Sequence, residues 1–199
     1  MTDGARYPGY RVLDKRGSPS WDEITRQVVE RRIGPVPPRR YLNAEQWQLL
    51  DALAGILLPQ PERAAPIPIT PFIDAMLYEG RSEGYRHADM PDDRAAWQLG
   101  LAGVQAEAHA HHGRPFVALD KHAQTALLQA LAEGRATPSL WQVPAQRFFF
   151  DILLKTMVGI YYAHPAAWDE IGFGGPASPR GYVRLGFDEA DAWEAKEAR

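Results

Sequence analysis

From Asn43 to Ala163 the apolar residues recur at three- and four-residue spacing, the period of an α-helix with one face turned inward. Trp47, Leu50, Ala54 and Leu57 make one such stripe, widened by Leu49, Leu53 and Ile56. Asn43 and Gln46 have capping-box chemistry at its start, so the pattern predicts a helix from there through Leu58. Thr70 and Pro71 have the cap and first-turn character for a helix carrying Phe72, Ile73, Met76 and Leu77. Arg94 to His111 places Trp97, Leu101, Val104 and Ala108 on one face. Asp120 can cap a helix through Glu133, with Leu127, Leu128 and Leu131 inward and Gly134 as its stop. The most apolar segment, Ala145 to Ala163, carries Phe148, Phe149, Ile152, Leu153, Met157 and Ile160 and predicts a central helix.

The N-terminal forty residues read differently. Ser20-x-x-Glu23 has the form of a capping box, opening a helix over Trp21 to Ile33 with Gly34 at its C-terminal end. Its apolar face (Trp21, Ile24, Val28) is thin, and the segment PVPPRR separates it from the helix that begins near Asn43. A short helix with so narrow a stripe is marginal alone. It either packs back on its own domain or docks on a partner, and both readings stand at this level. The proline-rich run PQPERAAPIPIT forces an extended connection, and Gly80 to Asp92 is a polar loop. The only strand-like signal is the short YVRL, and no internal period is visible. The expected fold is therefore all-α: an irregular helical domain of about five to six helices. It would comprise an extended arm over 1–40, the helical domain over 41–185 and an acidic tail over 186–199.

After Gly159 the pattern changes. Tyr161, Tyr162, Trp168, Phe173 and Tyr182 stand among Gly172, Gly174, Gly175, Gly181 and Gly186 and three prolines. Glycine serves backbone that takes positive φ or approaches another surface closely, and proline fixes φ. Within this stretch Pro165 at a first helical position and Gly172 as a stop frame one short helix. A segment so built holds one irregular shape and presents aromatics. It either faces a partner or folds back over its own helices.

Composition narrows the function classes. The 199 residues carry a formal net charge of −3, which argues against bulk binding of nucleic acid or an anionic membrane. There is no cysteine, so disulfides, iron–sulfur ligation and thiolate zinc sites are excluded. The longest apolar stretch, near Leu49 to Pro59, contains Asp51 and falls short of the about 20 residues a membrane span needs. The N-terminus MTDGARYPGY lacks an apolar signal region. Arg39-Arg40 superficially resembles a twin-arginine export motif, but the amphipathic AEQWQLLDALAGILLP just after it is the start of a helix.

Candidate chemistry is sparse. His109 and His112, three apart, could project from one helix face beside His111, but no third ligand pattern such as H-E-x-x-H accompanies them. They read as a solvated helix end before Gly113. Asp169 and Glu170 are adjacent, so on a helix they point about 100° apart and make no facing pair for acid–base work. No serine has a nucleophile-elbow setting, and GFGGP lacks the strand-to-helix context of a phosphate loop. No catalytic, cofactor-binding or metal-binding residue is expected on this chain. The large rigid side chains of Trp21, Tyr161, Tyr162, Trp168 and Phe173 are the expected interface anchors, on a backbone shaped by Gly174, Gly175 and Pro176. Arg180 beside Tyr182 could pair with acids or stack on aromatics across the contact, and His164 caps the short helix or reaches a partner carbonyl. As such an anchor, Trp168 is expected to be removable without unfolding the isolated chain.

The order of these elements carries a resemblance. A helix closing on LLP (Leu57 to Pro59) precedes a proline-rich link and PFIDAMLYEG. FVALD and FFFDILLKTMVGIYYAHPAAWDEIGFGGPASPRGYVRL come later in the chain. This resembles the gluconate 2-dehydrogenase subunit 3 family over roughly residues 41 to 185, with YY-x-HP-x-x-W-x-E-I-G-F-x-G-P as the specific part. The resemblance implies a non-catalytic small subunit that binds and stabilises a large glucose–methanol–choline-type oxidoreductase holding FAD, with a cytochrome c often receiving the electrons. It implies no cofactor on this chain. The resemblance also implies, for several members, export on a twin-arginine signal of the small subunit, and the arm here departs from that pattern. The complex is then periplasmic if the partner carries the signal and cytoplasmic otherwise. A transient folding or export chaperone for the flavoprotein, and a stand-alone metal-dependent enzyme using the three histidines, are the alternatives.

Overall fold

The structure, a computed structural model, describes residues 6–61, 63–82, 87–176, 189 and 191–197. It is all-helical, with eight α-helices and no strand among the described residues; YVRL lies outside them. The chain divides into two compact units, one made of Met1–Pro35 with Tyr161–Arg199 and the other of Val36–Ile160.

The larger unit begins at α2 (Ala44–Leu57), whose capping box is complete. The Asn43 side chain accepts from the Gln46 backbone N–H, and the Gln46 side chain accepts from the Asn43 N–H. Leu49, Leu50, Leu53 and Ala54 bury its inner face against α3 (Ile69–Glu79), α4 (Asp93–His112) and α5 (Lys121–Ala132). Side-chain oxygens of Asp92 and Asp120 cap α4 and α5 by accepting from Ala95 and Ala123. The stripe Trp97, Leu101, Val104 and Ala108 is buried as its spacing predicts, and so are Leu127, Leu128 and Leu131. Helix α3 starts earlier than expected. It opens at Ile69 behind Pro68, so Thr70 lies inside the first turn and does not cap; its hydroxyl is buried without a partner among the described residues.

The segment Ala145–Ala163, expected as one α-helix, is interrupted. It runs as a short α6 (Ala145–Arg147), a π-helical stretch Phe148–Leu154 and α7 (Lys155–Ala163). The Lys155 N–H donates to Phe150 O, five residues back, the reach that defines π geometry. Phe148 lies edge-on to Trp97, ring centroids 5.9 Å apart, and occupies a notch at Gly100, where any Cβ would overlap its ring. Trp141 fills a second notch on α4, its ring 2.5 Å from where a Cβ on Gly103 would stand.

Among the described residues of this unit two carboxylic acids, Asp74 and Glu107, are buried. Asp74 is 0% exposed on α3 and accepts backbone N–H bonds from Arg40 (2.7 Å), Tyr41 (3.0 Å) and Leu42 (2.7 Å), which pins the chain entering α2. Glu107 is 2% exposed on α4 and accepts from Thr137 N (2.5 Å), Thr137 Oγ1 (3.1 Å) and Trp141 Nε1 (2.9 Å), with His111 Nε2 at 3.0 Å. Burial pushes the Glu107 carboxyl up, but the bonds from Trp141, Thr137 and His111 together outweigh it, and its pKa lies below the ordinary value.

In the smaller unit, a 3₁₀ stretch (Val12–Gly17) leads into α1 (Glu23–Ile33). Asp22, and not Ser20, caps α1: its carboxylate accepts from Thr25 N at 2.7 Å, while Ser20 is buried beside Lys15. The shorter helix turns a different face inward from the one expected. Trp21, Thr25 and Val29, four residues apart, are buried, and Ile24 is 71% exposed. At the helix end Gly34 is extended, φ −71° and ψ −168°, with no left-handed turn. Helix α8 (Pro165–Ile171) completes the unit, and Val12, Trp21, Val29 and Trp168 form its core, with Tyr10 and Leu13 packed against them.

Candidate functional site

Of the described residues singled out for partner contact, Trp21 lies just before α1 and the others lie on the last turn of α7, at the start of and along α8, and on the loop behind it, all in the smaller unit. Their local order follows from sequence. His164 turns the chain between the two helices, its Nδ1 accepting from Ala166 N at 3.2 Å, and Pro165 takes the first helical position where no N–H is needed. Gly172 ends α8 with φ +65°, and both its N–H and that of Phe173 turn back to Trp168 O. Gly175 has φ +68° and lies against two indoles. A Cβ there would stand 2.9 Å from Trp168 Cζ3 and 3.2 Å from Trp21 Cζ2, so both the backbone and the space demand glycine.

The aromatic residues divide by exposure. Trp168 is 2% exposed and lies in the unit's own core. Its Nε1 donates to Tyr162 O at 2.6 Å, the Arg32 guanidinium lies over its ring at 5.7 Å, and Phe173 meets it edge-on at 5.6 Å. Trp21 is also 2% exposed, and its Nε1 has no acceptor among the described residues. Tyr161 is nearly buried and donates to Glu170 Oε2 at 3.1 Å. Tyr162, Ile171 and Phe173 remain outside, 47%, 48% and 40% exposed. Gly174 and Pro176 are partly buried beside them. Arg180 and Tyr182 lie outside the described residues.

Several residues that organise this face were not visible as such in the sequence. Asp169 accepts from Val12 N at 2.7 Å, so one of the two adjacent acids ties α8 to the N-terminal segment. Arg32 donates to Ala163 O at 3.0 Å, placing a cation at the C-terminal end of α7, where the helix dipole favours it. Tyr10 Oη lies 3.4 Å from Phe173 O, and Tyr7 packs where a Cβ on Gly172 would stand, 2.6 Å from its Cζ. Lys15 is 4% exposed, over the Trp21 ring at 5.4 Å and near Gly174. Burial pulls its pKa below the usual lysine value, and the carboxylates of Glu194 and Asp191 offset part of that fall.

The histidines stand apart in the larger unit. His109, His111 and His112 are all exposed on the last turn of α4, before the left-handed Gly113. His111 is engaged by Glu107 and by Thr137 Oγ1 at 3.3 Å. Among the described residues no group of three or more histidine and acidic side chains is placed to hold a metal ion. Nor is any helix among them long and apolar enough to cross a membrane.

Among the described residues the chain is all-helical, with its aromatic signature on the end of α7, on α8 and on the loop behind them. The chain belongs to the gluconate 2-dehydrogenase subunit 3 family, whose family model matches residues 44–175, from the first residue of α2 to the left-handed Gly175. The family is one of dehydrogenase subunits, and membership implies a complex with other dehydrogenase subunits. No curated protein and no solved structure matches the chain. The arm before Ala44 and the segment after Gly175 lie outside the matched stretch.

Proposed function

We propose that this chain is the non-catalytic small subunit of a flavin-dependent dehydrogenase complex that oxidises CH–OH groups of sugars, sugar acids or related glycosides. Its task is to bind and stabilise a large glucose–methanol–choline-type subunit that carries the FAD, and a cytochrome c would take the electrons onward. Compartment would follow the partner's signal.

The observation that carries this reading is the concentration of exposed large apolar side chains at the end of the family-matched stretch. Tyr162, Ile171 and Phe173 are each 40% or more exposed although they sit on a framework locked by Trp168, Gly172 and Gly175. Rigid aromatic and aliphatic side chains on a pre-shaped backbone lose little entropy on association, and such residues dominate interface energetics. Tyr161, His164 and Trp168 support that face from beneath through bonds to Glu170, Ala166 and Tyr162.

The test is co-purification of the tagged chain from its native host, with an absorbance scan and mass identification of the proteins that accompany it. A yellow complex containing a flavin oxidoreductase is the expected result. A colourless monomer overturns the reading. A flavoprotein that matures and then purifies without this chain would mark it as a transient chaperone.

A further inference from the structure

Two hydrogen-bond donors are enclosed in the smaller unit with too little to donate to. Lys15 is 4% exposed, and the bond its ammonium makes among the described residues runs to Ser20 Oγ at a long 3.4 Å. An ammonium carries three N–H donors, so this single bond leaves it under-coordinated. Trp21 is 2% exposed, and its Nε1 has no acceptor among the described residues. The two are neighbours: Lys15 Nζ stands 5.4 Å from the centre of the Trp21 ring. A buried ammonium and a buried indole N–H are each costly unless bonded.

The chain that passes these donors is glycine. A Cβ on Gly175 would stand 3.2 Å from Trp21 Cζ2, the ring atom two bonds from Nε1. A Cβ on Gly174 would stand 3.2 Å from Lys15 Nζ, and beyond the chain neighbours no other described residue comes within 4 Å of that point. Gly175 answers a backbone demand, with φ +68°, but Gly174 lies outside the left-handed region. What its missing side chain provides is room beside the ammonium.

We propose that Lys15 Nζ and Trp21 Nε1 form a binding site for one small monovalent anion, a halide or a formate-sized carboxylate, seated against Gly174. Size and source follow from burial, since donors so enclosed are reached by a free ion and not by a side chain of another protein. Hydrogen bonds of about 3 Å let one acceptor join donors up to roughly 6 Å apart. Asp191 and Glu194 also stabilise the charged ammonium, and their repulsion limits the site to a single, modestly held negative charge. The bound ion joins the 3₁₀ stretch before α1 to the loop that carries Phe173. The site does not rest on the function proposed above, and the two can fail separately.

The experiment follows the indole N–H resonances of the full, isotope-labelled chain as sodium formate or sodium bromide is added, with ionic strength held by sodium sulfate. Trp21→Phe assigns the resonance. We expect the Trp21 signal to shift saturably with either ion, while that of Trp97, buried in the larger unit, stays in place. Lys15→Met should raise the apparent Kd at least ~10-fold, the scale of a lost charge-assisted bond. Gly174→Ala keeps both donors and fills the space beside Nζ, so it should weaken binding too, and it decides the matter if Lys15→Met does not fold. Asp191→Asn with Glu194→Gln should tighten binding by removing the opposing charge. A Trp21 signal that does not move, a drift without saturation shared by Trp97, or a Kd unchanged in Gly174→Ala and in folded Lys15→Met overturns the proposal.

Discussion

Replacing Glu107 by alanine removes the acceptor for Thr137 N, Thr137 Oγ1 and Trp141 Nε1 in one step. His111 is exposed and finds water instead, so its bond counts for little. Thr137 and Trp141 are partly buried, which leaves two N–H donors to be met by whatever water can enter. Each stranded donor costs about 1–3 kcal/mol, the lower half applying where water reaches. Together with lost packing around a side chain 2% exposed, Glu107→Ala is expected to cost about 3 kcal/mol. Glu107→Gln is the informative companion. Its amide oxygen still accepts from Thr137 N and Trp141 Nε1, and its amide nitrogen can donate to Thr137 Oγ1, so the expected loss is about 1 kcal/mol. The sign of the pH dependence follows from the lowered pKa. A carboxyl depressed in the folded state contributes stability that is present above its unfolded value, about 4.3, and lost as pH falls through the folded one. Urea melts of the three proteins at neutral pH and through the acid range measure this. The wild-type advantage over Glu107→Gln should shrink below the unfolded value. Equal cost for alanine and glutamine, or an advantage over glutamine unchanged in acid, would refute the account.

Trp168→Ala is expected to destabilise the isolated chain by about 3–5 kcal/mol, read as a lowered melting temperature, because the ring lies in the core; an unchanged melt would return Trp168 to the surface. Gly100→Ala should cost at least about 1–3 kcal/mol by driving a methyl into the Phe148 ring, and a neutral result in a denaturant melt would show that the ring can move aside. Asn43→Ala should lose about 1 kcal/mol through the capping box of α2, measured the same way. Tyr162→Ser with Phe173→Ser should leave the melt of the isolated chain close to wild type and reduce recovery of the flavoprotein in co-purification; undiminished recovery would move the docking face elsewhere.

Where local chemistry decides, the sequence was legible. Asn43 with Gln46 and Asp120 are short-range devices, and the helices they open have the predicted inner faces; His164 with Pro165 opens α8 as expected, but that helix buries Trp168, which was expected to face a partner. At α1 two acceptors compete two residues apart. Asp22 wins with a charged acceptor, which shifts the start and with it the inward face from Trp21–Ile24–Val28 to Trp21–Thr25–Val29. Asp74 and Glu107 were readable in principle, since both fall on the buried register of their helices, Asp74 four after Thr70 and Glu107 three after Val104. A charge at a core position signals backbone or side-chain donors converging on it, but their source, residues 40–42 or 137–141, is a tertiary fact. The pairing of the N-terminal segment with α8 is less accessible still. It rests on contacts such as Val12 to Asp169, 157 residues apart, which no window of sequence contains. At the candidate site the sequence singled out the aromatics as a group. Sequence could not divide them into those enclosed, Trp21 and Trp168, and those outside, Tyr162 and Phe173.

The π-helical stretch at Phe148–Leu154 bears on how this chain is compared with its relatives. A π turn holds one more residue than an α turn, and each α-helical residue advances the chain by about 100°. Phe149, Leu153 and Met157 share a buried side at intervals of four. A relative without the extra residue would present the same apolar series one position displaced. An alignment that runs through this stretch without a gap would then assign its core residues to solvent and its solvent residues to the core. The place to open that gap is between Phe148 and Leu154, a decision that backbone hydrogen bonding makes and residue similarity does not.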